Sequence, residues 1–378
     1  MLLKNASFYD DESLRVADIR LKDSLIIEIQ ENLSPIDNEE VIECANLFVL
    51  PSLIDLSVTC LEGYENLRQK AFKGGVGLLN IFNHAQSNVK NIMAIKDNRL
   101  EDIATLKNQG GEVLIVQSDG FLELISHYAK SYNLPLLVSL ENSFQSLNNG
   151  ELAYELGQSF IDNAFENTHL VRFMEVSRAL GIPMLLDKIN SIATLELTKA
   201  FNHLGANLQI QVPLSHLVLD ESVVKNYEPR FKIYPPLRDK EGQNALQVAL
   251  RNNEISMLTS LHTHKNSNAQ LFEESAFGCE SIEYAFSVAY TFLVQTNIIS
   301  LQQLIKVMAF NQTKFLGLNS GEIKENKIAN LIIIDLDAKE RVSNKNSPFY
   351  GLELQGVVQR VILEGKTAFL KGGVCEKS

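Results

Sequence analysis

The sequence predicts an α/β protein: a (β/α)8 TIM-type barrel over residues 51–320, with a small β-sandwich domain built from both chain ends, 1–50 plus 321–378. Three observations predict it. Eight short apolar runs alternate with helical segments through the middle of the chain. Strand-and-turn texture is confined to the two ends, and neither end could hold a stable sheet alone. No Gly-rich phosphate turn follows any of the runs, which disfavours a doubly wound open sheet.

Taken in order, "VADIRLKDSLIIEIQENL" gives two strands around a turn at Lys22, Asp23 and Ser24, and "VIECANLFVL" gives another. The barrel strands are expected at "SLIDLSV", 77–83, 112–118, 134–140, 182–187, 207–212, 230–235 and 254–260. Most are apolar on both faces, as strands buried between layers are. Helices are expected at 99–111, ending in a Gly pair, and at 191–205, between Ser191 and Gly205. A third, at 280–295, places Ile282, Ala285, Phe286, Ala289, Tyr290, Leu293 and Val294 on one face. After residue 320 strands return in "NLIIIDLD" and "GVVQRVILEGKTAFLKGG".

The composition, 45% hydrophobic and 21% charged over 378 residues, is that of a globular chain. A net charge of −12 argues against nucleic acid or an anionic membrane as partner. Cys44, Cys60, Cys279 and Cys375 form no C-x-x-C pair, so free thiols of a cytoplasmic protein are expected. No run reaches the ~20 apolar residues of a membrane span, and the start of the chain does not read as a signal peptide.

The phrases along the chain resemble dihydroorotases of the amidohydrolase superfamily. "VLPSLIDLSVTCLEGYE" is similar to the family's "VLPGLIDxHVHxREPGxE", and "KGGVGLLNIFNHA" to "AGGxTTVxxMPNT". "GGEVLIVQSDG" resembles "GAVAFSDDG", "YPPLRDKEGQNAL" resembles "NPPLRxxxDxxAL", and "SAFGCESIEYAF" resembles the "PFGxxGLExA" loop. "IANLIIIDLDAKERV" is similar to the C-terminal sheet segment. Their order and spacing cover nearly the whole chain.

The resemblance implies a divalent metal held by histidines and carboxylates at strand ends, activating a water, with an aspartate moving the proton. Carried over residue by residue, that machinery is absent. Residues 57 and 59 lie on the same side of a strand, but where the family has His-x-His this chain has Ser57 and Thr59. The "HCED" histidine falls on Ser139, the "HVST" histidine on Lys188, and the "TDHAPH" aspartate on Leu261. The family's substrate positions fall on Leu61, His84 and Tyr234; Asp119 survives. Ser and Thr hydroxyls are poor ligands for transition metals, and a Lys ammonium offers no acceptor. The expectation is no catalytic residue, no metal and no cofactor, with a Lys188–Asp119 ion pair standing in for the metal's charge.

The resemblance implies one partner, aspartate carbamoyltransferase, the preceding enzyme of pyrimidine synthesis, which pairs with inactive dihydroorotase-like subunits; homodimers are also common in the family. One alternative is a cyclic-amide hydrolase using a relocated metal site of His84, Asp119, His262 and His264. Another is a small-molecule binding module, its mouth lined by His84, Tyr234 and Lys188 and suited to an anion. The plainer readings are an inherited His262, a loop His264, helical His127, His169 and His203, and a buried inert Cys60. Ser57 and Ser139 sit in no G-x-S-x-G elbow.

Overall fold

The computed structural model describes the whole chain except residues 11–12, 62, 83–92, 97–102, 109, 118–119, 121, 141–146, 266–270 and 373–378. His84, Asp119 and the expected Lys188–Asp119 pair therefore lie outside the described residues, as does Cys375.

Eight parallel strands form the barrel: β1 (Leu53–Val58), β2 (Val76–Ile81), β3 (Met93–Lys96), β4 (Gly111–Val116), β5 (Leu136–Val138), β6 (Met184–Leu186), β7 (Leu208–Pro213) and β8 (Met257–Thr259). Strands β3 to β8 pair in sequence order, and β1 pairs with β2. One expected strand is exchanged for another. Residues 230–235 form no strand; Pro229–Phe231 is a 3-10 turn, and the Tyr234–Pro235 peptide that follows is cis. Pro229, Pro235 and Pro236 remove ladder donors from this stretch. The eighth strand is the four-residue β3, which the sequence reading passed over.

The barrel interior is graded. Ile54, Leu56, Val113, Ile115, Leu137, Leu185 and Met257 fill it, and Phe315 and Leu316 of the helix Asn311–Leu316 join the same cluster. Asn311 Nδ2 ties that helix to Ser256 O on the approach to β8, at 2.6 Å. The opposite, C-terminal end of the strands carries polar side chains, described below. The expected helix at 280–295 is observed as a continuous run of 3-10, α and π turns, with Ile282, Ala285, Phe286, Ala289 and Leu293 all buried.

The two chain ends meet in one eight-stranded, mostly antiparallel sheet. Strand Phe48–Pro51 pairs with Leu331–Arg341, which joins the N-terminal segment to the C-terminal one. Asp23 and Ser24 both take positive φ in the expected hairpin turn. Strand alternation makes the sheet two-sided. Leu331 and Ile333 face a core with Leu3, Phe8, Ile19 and Val49, whereas Ile332 and Ile334 join the barrel core with Phe286. Gly75 lies between these layers, where an added Cβ would sit 3.2 Å from Ile332 and 3.3 Å from Val358.

Among the described residues the barrel ladder is interrupted twice, between β2 and β3 and between β8 and β1, and at the second interruption a side chain makes the join. No backbone ladder joins β1 to β8 among the described residues. Asp55 in β1, 3% exposed, spans that seam. Its Oδ1 accepts from Thr259 Oγ1 at 2.6 Å and from Ser57 N at 3.1 Å. Its Oδ2 accepts from Ser260 N at 2.9 Å and Ser260 Oγ at 2.5 Å. Just beyond, Thr59 N donates to His262 O at 2.8 Å, and Thr59 bridges Thr263.

Asp55→Ala would strand several buried donors at once. It is expected to lower the unfolding free energy in urea by about 3 kcal/mol or more, since bonds to a charged group contribute roughly 1.5–3 kcal/mol each. Asp55→Asn should cost less, because it keeps one acceptor oxygen.

Candidate functional site

The strand C-terminal ends are where a barrel of this kind keeps its chemistry. The β1–β2 register shifts between Asp55 and Val58, and at this irregularity Ser57 turns inward, 2% exposed. Gln211 of β7, fully buried, reaches across: its Nε2 donates to Ser57 Oγ at 3.0 Å and to Asp187 Oδ1 at 2.7 Å. Ser139, fully buried at the end of β5, donates its backbone N–H to Val116 O at 2.9 Å, while its hydroxyl makes no hydrogen bond among the described residues. Four strand ends thus contribute to one polar layer, Ser57, Ser139, Asp187 and Gln211, of which Gln211 bonds Ser57 and Asp187.

Asp187 is 5% exposed. Burial raises its carboxyl above the ordinary value, and the Lys188 charge with the polar Ser57, Gln211 and Ser139 side chains offsets part of that rise. The sequence reading put Lys188 at this strand end. The structure places the Asp187 carboxyl in the centre instead and sets the Lys188 ammonium 4.9 Å over the Phe82 ring. Lys188 takes φ 58° and Leu261 φ 58°, both in the left-handed region that bulky side chains rarely occupy.

The other expected positions are dispersed. Thr59 is half-buried in the seam, Leu61 is 65% exposed, and Leu261 is buried with Ile233, Leu237 and Cys279. Tyr234 packs edge-on against Phe277, ring centroids 6.2 Å apart.

His262 and His264 go separate ways. His262 is buried, and its Nδ1 accepts from Ser281 N at 3.4 Å. His264 Nδ1 lies 3.0 Å from Glu280 Oε1. Glu280, 4% exposed, also receives Lys265 N, Asn346 Nδ2, Asn344 Nδ2 and the Lys70 ammonium at 2.8–3.3 Å. Burial alone would raise its carboxyl; Asn344, Lys265 N, Lys70 and Asn346 together hold it below the ordinary value. This hub fastens the loop after β8 to the helix Tyr64–Lys73 and to the segment preceding strand Glu353–Leu363.

The residues of the centre do not fit the divalent metal that the resemblance implies. Transition metals favour imidazole, thiolate and ionised carboxylate, and the layer offers two hydroxyls, an amide and one carboxyl whose burial favours its protonated form. Among the described residues no group of three or more His, Cys, Asp or Glu is placed to share an ion. Asp187 and Gln211 escaped the sequence reading. The signal was present: Gln209 and Gln211 alternate in a strand otherwise apolar, and Asp187 ends "MLLD".

A barrel with its polar layer at the strand C-terminal ends, carrying a sheet built from both chain termini, defines the class of barrel hydrolases and their relatives. Residues 112–368 match the amidohydrolase family, and the chain belongs to it. It is 78% identical over its full length to a "Probable dihydroorotase-like protein" of Helicobacter pylori strain J99, of which it covers 100%. It is 27% identical to a dihydroorotase of Thermoanaerobacter sp., covering 100% of this chain and 99% of that protein. The fold matches an L-hydantoinase (dihydropyrimidinase) from Arthrobacter aurescens with TM-score 0.84 at 20% identity, covering 100% of this chain and 97% of that one. A D-hydantoinase from Thermus sp. matches with TM-score 0.85 at 19% identity, covering 100% and 96%.

Beside the mouth, His216 is 1% exposed. Ser215 Oγ lies 3.1 Å from its Nδ1, and its Nε2 lies 3.0 Å from Pro235 O, so Nε2–H is the donor. Burial pushes its pKa down to about 4, against a smaller opposing effect of the Pro235 and Pro236 carbonyls. A folded-state value below the unfolded one means that the unfolded chain binds the extra proton. This contribution is therefore complete above pH ~6.5 and is lost as pH falls toward ~4, amounting to about 3 kcal/mol. Urea unfolding of wild type and His216→Gln from pH 7 to 4 is expected to show a smaller loss on acidification in the variant.

Proposed function

We propose that this chain is a non-catalytic dihydroorotase homologue, a cytoplasmic pseudoenzyme that serves as a structural or regulatory partner of aspartate carbamoyltransferase in pyrimidine biosynthesis. The observation that carries this reading is the composition of the centre. Across the barrel Gln211 Nε2 joins Ser57 Oγ and Asp187 Oδ1, and the layer offers a single carboxyl where metal-dependent hydrolysis would need several ligands. Leu261, at the proton-shuttle position, can neither give nor take a proton. The left-handed backbone at Lys188 and Leu261 supports the same reading: each costs of order 1 kcal/mol, in loops whose paths suit other residues better. Full-length likeness to dihydroorotases supports the direction of descent.

Four buried amide oxygens, Asn80 Oδ1, Asn190 Oδ1, Gln211 Oε1 and Gln312 Oε1, and the carboxyl oxygen Asp187 Oδ2 meet no donor among the described residues. They favour a second reading, a binding module for a small guest rich in N–H or O–H donors. The anion considered from sequence would bring acceptors to acceptors.

The test combines turnover and assembly. With zinc, manganese or cobalt supplied, the purified protein is expected to leave dihydroorotate ring opening at the buffer rate. It is expected to co-elute with the aspartate carbamoyltransferase of the same organism at micromolar concentration. Metal-dependent turnover that His262→Ala or His264→Ala abolishes would overturn the reading in favour of the relocated site.

A further inference from the structure

Among the described residues, three of the four exposed aromatic side chains come from a stretch of twelve residues: Tyr154 at 68% exposure, Phe160 at 38% and Phe165 at 72%. The fourth, Tyr350, lies elsewhere in the chain. The stretch belongs to an excursion after β5. The short helix Glu151–Leu156 and strand Phe160–Ile161, which pairs with Leu147–Asn148, lead into the helix Asn163–Leu180.

The inner side of this excursion is fully used. Leu147, Leu152 and Ala153 pack with Val224, Phe231 and Phe272. The outer side presents the aromatics. The Tyr154 and Phe160 rings lie 5.4 Å apart. Tyr154 OH donates to Asn149 Oδ1 at 3.3 Å, and Asn149 Nδ2 donates to Asp162 Oδ2 at 3.1 Å. Asp162 caps the helix whose first turn carries Phe165, accepting from Ala164 N at 2.9 Å, and Phe165 N donates to Asp162 O at 3.1 Å. The Tyr154 and Phe160 rings are thus held together, and the helix start that carries the exposed Phe165 is tied to them through Asn149 and Asp162.

An aromatic cluster kept in water at this exposure is unusual for a monomeric surface, and aromatic side chains dominate the centres of protein interfaces. The charges around the patch select the occupant. Glu151, Glu155 and Asp162 stand in or beside this stretch, whereas burial pushes Glu166 up to about 7; Lys225 lies 3.4 Å from Glu155, and the Arg238 charge reaches Asp162 and Glu166. The balance is acidic on a chain of net charge −12. A second copy docking two-fold would set these carboxylates against their own counterparts.

We propose that Tyr154, Phe160 and Phe165 form the docking surface for a heterologous protein partner that presents an apolar recess ringed by Lys and Arg. The surface rests on the partner reading given above and deepens it, since it says which face of the chain the partner covers.

The test uses the full-length chain and the aspartate carbamoyltransferase of the same organism as probe. Binding is measured for wild type, Phe165→Ser, Tyr154→Ser, Glu151→Lys/Glu155→Lys and the remote control Val248→Ser, with thermal unfolding of each. The expected result is affinity lower by roughly tenfold or more for each aromatic variant at unchanged thermal midpoint. The charge reversal is expected to slow association and flatten its salt dependence, and Val248→Ser should bind as wild type. Equal binding by wild type and the aromatic variants overturns the surface while the partner reading stands. Failure of the wild type to bind overturns both. A wild-type dimer that Phe165→Ser dissociates also overturns the surface, by giving it to a second copy.

Discussion

A carboxylate out of reach of solvent has to be satisfied by the protein around it, and Asp55 is satisfied by four donors drawn from both sides of the barrel seam. The first and last strands share no ladder, so the cylinder is joined there through one side chain and the Thr59–Thr263 bridge beyond it. What lies above the seam depends on this closure. Ser57 can face Gln211 across the barrel only because β1 is held against β8 at Asp55 and then irregular by the next residues.

The polar layer is the second consequence. A barrel whose interior is aliphatic along most of its length must finish in something that tolerates the approach of loops and water. Here the finish is a set of hydroxyl, amide and carboxyl groups joined through Gln211, with Ser139 Oγ, Asp187 Oδ2 and Gln211 Oε1 left without a partner among the described residues. Its two bonds tie the ends of β1 and β6 to β7 through Gln211. Glu280 plays the corresponding part outside the barrel, gathering the loop after β8, one helix and the segment before strand Glu353–Leu363 around a single buried carboxylate. His264, a candidate ligand from sequence, is engaged at that hub.

The barrel was legible because seven of its strands are apolar runs long enough to stand out between helices. Residues 93–96 were too short for that, and Arg230, Lys232 and Tyr234 around two apolar residues imitated a strand that the flanking prolines prevent. The sheet domain was legible from texture at both ends. The centre was half legible. Ser57 and Ser139 are both buried at the C-terminal ends of β1 and β5. Asp187 takes the inward place at the end of β6, where Gln211 reaches it, and Lys188 sets its ammonium over the Phe82 ring beside it. Gln211 lies in none of the motif phrases, but its alternation with Gln209 in a buried strand marks it. The aromatic face of the excursion left no trace in periodicity, because exposure there is set by which side of a short helix the core covers.

The central claim is that the barrel centre holds itself together without a metal ion. The most direct measurement is metal content by elemental analysis of tag-free protein purified in the presence of zinc. The account predicts well below one equivalent of zinc, manganese, iron or cobalt per chain. One or more tightly held equivalents that survive dialysis would contradict it.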